Sequence, residues 1–274
     1  MSAFEQREGT PQTPVMSESP NPVTPRQYEE HLQQELQKSL ELIPQDQQIK
    51  TFHMYSNSHR DIHPYTRPLT ISDLESVLTL ENTAFTDPNE RASREKLRYR
   101  LTRCGELCLG IFCTMTPGSD PEIETLSTGR PVETSRKNGG ISVLIGHVVA
   151  AKTHDMTASD ASMGVPDGWE ATKPPRTSLG HQEDGRTIVI HSVAILPAFQ
   201  GRGLGKILVT AYMQQMNSAG IADRLALIAH NHKINFYKAL GFTEIGKSEA
   251  QFGGGGWYDL IYNLKTPEAR TAYG

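Results

Sequence analysis

The sequence predicts a mixed α/β domain built around one sheet, and three observations carry that expectation. Apolar runs of strand length recur from residue 107 to residue 264. Segments with helical period lie before and between them. The run GRTIVIHSVAI (185–195) then leads into a glycine loop, AFQGRGLGK, which opens directly into the helical pattern of residues 203–219.

The elements follow in order. Residues 1–66 are polar and rich in Pro, Gln, Ser and Thr, the composition of a largely disordered tail. Within it, residues 26–43 could form one amphipathic helix, since Leu32, Leu36, Leu40 and Ile43 recur at helical spacing after Thr24-Pro25. The domain is expected over 67–264, with 265–274 as a C-terminal tail. A first helix lies within 67–85, with Ser72 and Glu75 spaced as a capping box. A second helix covers 93–104, and LCLGIFCT (107–114) reads as the first strand. Residues 115–140 are rich in Pro, Gly, Ser and Thr and read as a surface insertion. Strands at 141–154 and 185–195, the helix at 203–219, a strand at 224–230, a helix at 233–240 and two final strands at 241–247 and 257–264 complete the pattern.

Composition narrows the function. The 274 residues carry a formal net charge of −4, which argues against a nucleic-acid surface. No apolar run approaches the ~18 residues of a membrane helix, and the first residues, MSAFEQREGTPQTP, lack the apolar core of a secretory signal. A soluble cytoplasmic protein that works as a monomer is expected. Cys104, Cys108 and Cys113 are an odd number within a short span, so free thiols are expected rather than a disulfide framework. With no CxxC pair, and with His147 and His154 in a different segment, no metal site is expected.

The loop carries the chemistry. Gly201, Gly203 and Gly205 sit at i, i+2 and i+4, which is neither the dinucleotide fingerprint nor a Walker A loop. Glycines at such spacing allow successive backbone N–H groups to turn toward one anion, and the following helix adds its positive end. Arg202 and Lys206 add charge, so the loop is expected to hold a phosphate or pyrophosphate. A ligand-free turn between strand and helix is the alternative.

The segment VAILPAFQGRGLGKILV resembles the acetyl-CoA loop of the GNAT superfamily of N-acetyltransferases, Q/R-x-x-G-x-G/A, with Gln200, Gly203 and Gly205 in the signature positions. NHKINFYKALGF is similar to the second signature of that family: Asn231, Phe236, Tyr237, Gly241 and Phe242 match, and Ile234 replaces the usual Ala. Within the superfamily, ENTAF, GELCLGIF, TSLGH and HSVAILPAFQGRGLG line up in order with the serotonin (arylalkylamine) N-acetyltransferases. The fungal branch, which also acetylates polyamines, looks nearest. The chain departs from the animal enzymes in the insertion and at Val189, where they carry the first of two histidines; His191 matches the second.

The resemblance implies a GNAT acyl-CoA N-acyltransferase fold and transfer of acetyl from acetyl-CoA to a small primary amine by direct attack in a ternary complex. It assigns pantetheine to the backbone of Val193, Ala194 and Ile195. Pyrophosphate falls to Gln200, Gly201, Arg202, Gly203, Leu204, Gly205 and Lys206, and Asn231 joins the cofactor site. His191 becomes the general base and Tyr237 the acid for the departing thiolate; on residue type alone, each also reads as a core side chain. Proton removal through waters is the alternative route. Strand period puts His191, Val193 and Ile195 on one face and Ser192 and Ala194 on the other. In the acceptor pocket Phe85 and Trp169 could stack on an aromatic amine, while Glu81, Asp87 and Glu90 could attract a cationic one. Two rival functions share the loop: a protein lysine or N-terminal acetyltransferase, and an acyl-CoA-binding regulatory domain without catalysis.

Overall fold

The computed structural model describes residues 63–116, 127–172 and 177–265; the helix expected at 26–43 lies outside the described residues. The first element is a strand, β1 (His63–Pro68), where the sequence suggested no strand. It pairs antiparallel with β2 (Leu109–Met115) and ends the strand order of the sheet, an edge position at which its two prolines cost no ladder hydrogen bonds. The sheet therefore takes in residues before the expected start at 67.

Next come α1 (Leu74–Ala84) and α2 (Arg94–Arg103). The cap of α1 is not at Ser72 and Glu75. A short 3₁₀ turn, Ile71–Asp73, precedes the helix, and the Asp73 carboxylate accepts from the Thr70 N–H at 2.9 Å and from Arg67 at 2.7 and 2.8 Å. Thr70 and Asp73 have the same i, i+3 spacing as the expected pair, two residues earlier. Ser93 caps α2 by accepting from the Lys96 N–H at 3.2 Å. Within residues 115–140 a two-residue strand, β3 (Val132–Glu133), pairs with β4 (Ile141–Thr153). Then follow β5 (Thr187–Ile195), α3 (Leu204–Ala219), β6 (Arg224–Ala229), α4 (Asn231–Lys238), β7 (Thr243–Lys247) and β8 (Tyr258–Asn263).

The sheet runs β1-β2-β4-β5-β6-β8-β7, with β3 beside β4. Every pairing is antiparallel except β5 with β6, which α3 joins as a crossover. That one parallel pairing is short. Thr187–Ile190 meet Arg224–Leu227, and there it stops. From His191 onward β5 pairs only with β4, while Ile228 and Ala229 pair only with β8. The sheet thus opens into a wedge whose walls carry backbone groups without ladder partners.

The core fills both sides of this sheet. Leu97, Leu101 and Cys104 come from the α2 region, and Leu204, Leu208 and Tyr212 from α3; all are buried. The Tyr212 hydroxyl donates to the Leu107 carbonyl at 2.9 Å. The three cysteines are free and buried. Burial pushes the Cys108 thiol up to about 11 and the Cys113 thiol up to about 12, so both stay protonated and unreactive. Among the described residues no helix is long and apolar enough to cross a membrane.

Candidate active site

The wedge ends in the glycine loop. Pro197–Phe199 form a 3₁₀ turn anchored by the fully buried Phe199 ring. The Gln200 side-chain amide then donates back to the Ile195 carbonyl at 2.9 Å. Gly201 and Gly203 have φ of 74° and 75°, a left-handed backbone that other residues adopt at a cost. A Cβ added at either would meet no heavy atom within 4 Å. Packing therefore does not demand glycine here; the backbone conformation does, and the space above it is open. The first helical bond of α3 runs from the Ile207 N–H to the Gly203 carbonyl, so the amides of Leu204, Gly205 and Lys206 precede it. Arg202 lies with its guanidinium 5.7 Å from the Phe199 ring centre, and Lys206 is exposed. The arrangement suits an anion.

A β-bulge shapes the base. Ser192 pairs with Val149 and Ile190 with Ala150, which leaves His191 as the extra residue of β5. The two-residue alternation expected along β5 breaks there. The Ser192 hydroxyl reaches the Glu81 carboxylate at 2.7 Å, and His191 lines the same cavity as Glu81. Both ring nitrogens of His191 are buried without a partner. Burial holds the imidazole well below its ordinary value, and the charges of Arg100 and Lys96 lower it further. At neutral pH the ring is uncharged, with a nitrogen free to take a proton. Val189, at the other histidine position of the animal enzymes, is buried against Ala158 and Ala226.

Of the acceptor residues expected from sequence, Glu81 is on the cavity wall but is not a free surface acid. It is 1% exposed. Its Oε1 accepts from the Ala92 N–H at 2.8 Å, and its Oε2 also lies 2.9 Å from His147 Nε2. Burial pulls the Glu81 carboxyl up, but the hydrogen bonds from His147, Ala92 and Ser192 outweigh it and leave the carboxyl below its usual range. Trp169 is buried edge-on against Tyr99, with Arg98 over its ring, and it does not line the cavity. Phe85 caps the C-terminus of α1 and packs on the core. Asp87 caps a 3₁₀ turn through the Asn89 N–H, and Glu90, which does line the cavity, is bonded to His230 at 2.7 Å.

Sequence reasoning missed Lys96, Arg100, Met163 and Phe252, which complete the cavity. For Arg100 a signal existed: it stands three residues after Leu97 and four before Cys104, on the buried stripe of α2.

Tyr237 stands apart from this cavity, on α4. Its ring is edge-on to Phe236 at 5.0 Å and to Phe242 at 5.6 Å. Burial pushes its phenol far up, so it keeps its proton. Asn231 opens the same helix. A Cβ at Gly205 would lie 3.8 Å from Phe236 and 3.9 Å from Ile195, so loop, α4 and β5 converge around the wedge.

This arrangement has known counterparts. Residues 140–242, from β4 through α4, match the acetyltransferase (GNAT) family. Over these residues the chain is similar to GNAT acetyltransferases. The GNAT match covers the wedge, the bulged His191, the loop and Tyr237, and it leaves out α1, α2 and the segment between them, which supply Glu81, Glu90, Ala92, Lys96 and Arg100 to the cavity. The chain is 24% identical over 202 residues to a serotonin N-acetyltransferase of Mesocricetus auratus, covering 73% of this chain and 77% of that one. It is 40% identical to an uncharacterized N-acetyltransferase, ycf52, of Pyropia yezoensis over 62 residues, 23% of this chain and 35% of that one. In fold it is similar to the loading GNATL domain of CurA from Lyngbya majuscula, with a TM-score of 0.50 at 11% identity over 74% of this chain and 98% of that one.

Proposed function

We propose that this protein transfers acetyl from acetyl-CoA to the primary amine of a small arylalkylamine by direct attack in a ternary complex. One observation carries the reading: an uncharged His191 that lines a small, partly open cavity and whose two ring nitrogens have no partner among the described residues. An amine near neutral pH is mostly protonated and must lose a proton before it attacks. His191 is the group that accepts it. The pantetheine arm lies along the unpaired edge of β5 at Val193–Ile195, and the pyrophosphate lies on the loop amides. Nitrogen attacks the thioester carbon, the carbon–sulfur bond breaks, and Tyr237 protonates the leaving thiolate. Holding both reactants in one site removes much of the entropic cost of their meeting.

Phe252 supplies an aromatic wall, and the cations Lys96 and Arg100 disfavour a polyamine. Thiol release measured with tryptamine, serotonin, phenethylamine, spermidine, putrescine and a histone peptide tests this. Aromatic amines should turn over fastest; turnover with the peptide alone would overturn the reading.

The loop makes a separate prediction. Valine at position 203 must hold φ near 75°, which a β-branched residue resists, and its side chain projects into the space meant for phosphate. Gly203→Val should weaken acetyl-CoA binding by at least about tenfold in calorimetry. Unchanged affinity in a folded variant would remove the loop from the cofactor site.

A further inference from the structure

Two cations line the cavity without an ion pair among the described residues. Arg100 is 2% exposed, yet its guanidinium bonds a backbone carbonyl, Nη2 donating to Met163 O at 3.0 Å, and its buried Nε has no partner among the described residues. Lys96 holds its ammonium 4.9 Å above the Phe252 ring centre, and burial followed by the charge of Arg100 depresses it. Among the described residues neither side chain makes an ion pair.

The carboxylates nearest to hand are already committed. Glu81, which acts on Arg100 from a distance, is saturated by Ala92, His147 and Ser192; Glu90 is bonded to His230; and Asp160, which acts on Lys96, accepts from the backbone N–H groups of Gln251 and Phe252. The thiols of Cys104 and Cys108, close enough to influence Arg100, are pushed up by burial and carry no charge to offer. A buried cation that is not paired with a carboxylate is expensive, and a ligand carboxylate would supply the pairing that Arg100 lacks. Both cations line the same cavity as His191, and both act electrostatically on its ring, so their charge lies close to where the amine is deprotonated.

We infer that Lys96 and Arg100 form a subsite for a carboxylate on the acceptor, so the preferred substrate is an aromatic amine that also carries a carboxylate, as an aromatic α-amino acid does. This rests on the reading that the cavity holds the acceptor. The amine faces His191, the carboxylate faces the guanidinium and ammonium, and the aromatic group meets Phe252. The guanidinium fork suits a carboxylate, and burial strengthens the attraction.

Matched pairs test it on the full chain: tryptophan against tryptamine, and phenylalanine against phenethylamine, each with acetyl-CoA. The carboxylated member should have the higher kcat/KM by roughly tenfold or more, and Lys96→Met should bring the ratio down toward one. Arg100→Met should do the same; because it removes a buried side chain, Lys96→Met is the variant on which the result stands. A second arm needs no turnover. In the presence of CoA, calorimetry compares N-acetylphenylalanine with uncharged N-acetylphenethylamine. Tighter binding of the anion, lost in Lys96→Met, supports the subsite even if no amine is acetylated, in which case the reaction assignment fails and the subsite stands. Acetylation of tryptamine and phenethylamine as fast as their carboxylated partners, with no preference for the anionic probe, overturns the subsite and leaves the acetyltransferase reading intact.

Discussion

Replacing Glu81 with alanine should destabilise the domain by at least about 3 kcal/mol. Glu81 follows Leu80 and stands four residues after Val77, so it points into the interior with the apolar stripe of α1. There its two oxygens receive the Ala92 N–H, the Ser192 hydroxyl and His147 Nε2. The first partner holds the start of α2, and the other two come from β4 and β5. Removing the carboxylate leaves the Ala92 N–H unpaired and strips His147 and Ser192 of their acceptor, leaving only the 3.0 Å bond between them; breaking such a buried charged network costs about 3–5 kcal/mol. Ser192→Ala removes one donor and should cost about 1 kcal/mol. In thermal unfolding Glu81→Ala should lower Tm by roughly 6–12 °C, since a domain of this size loses about 2–4 °C per kcal/mol.

The direction with pH follows from the same bonds. The folded carboxyl titrates below its ordinary value near 4.5, so its contribution is complete above that value and is lost as pH falls through it. Glu81→Gln should be less stable than the parent at neutral pH and should lack this part of the acid loss. A fall of under about 1 kcal/mol for Glu81→Ala at neutral pH would mean that α1 is held to the sheet by apolar contact alone.

What could be read in the sequence was what local chemistry dictates. Gly201 and Gly203 need a left-handed backbone whatever surrounds them, so their spacing after an apolar run marked the loop. The starts of α2 and α3 followed from Ser93 and Gly203 in the same way. The bulge at His191 could not be read, because it is set by how β5 registers against β4. β1 was hidden by Pro64 and Pro68, which argue against a strand everywhere except an edge. Glu81 and Trp169 suggested an acceptor pocket by residue type, but type does not say which way a side chain faces. Glu81 is spent on a buried network, and Trp169 on Tyr99 and Arg98. Lys96 and Arg100, which also line the cavity, stand on α2, a helix to whose charged residues the sequence reading gave no role.

His191→Gln and Tyr237→Phe should each lower kcat/KM on the order of 10²-fold, with opposite responses to pH. His191 is held well below its ordinary value by burial and by Arg100 and Lys96, so it is the free base across the assay range of about pH 6 to 9.5. Glutamine keeps size and hydrogen bonding but cannot take a proton. The loss should be greatest near neutral pH and should shrink as pH rises, because more of the amine is then already free. Tyr237 has its phenol pushed far up by burial, so it holds its proton through the same range and is present as the acid. Phenylalanine removes the donor, and the thiolate leaves unprotonated at every pH, so alkali should restore nothing. Stability separates a catalytic histidine from a merely buried one only when read beside the rates. The unfolded imidazole takes up a proton near 6.5 and the folded one does not, so the parent should lose stability as pH falls below that value, and His191→Gln should lose less. If His191→Gln shows that flatter acid limb yet matches the parent in kcat/KM throughout, the ring is buried for packing, and the proton leaves the amine through water.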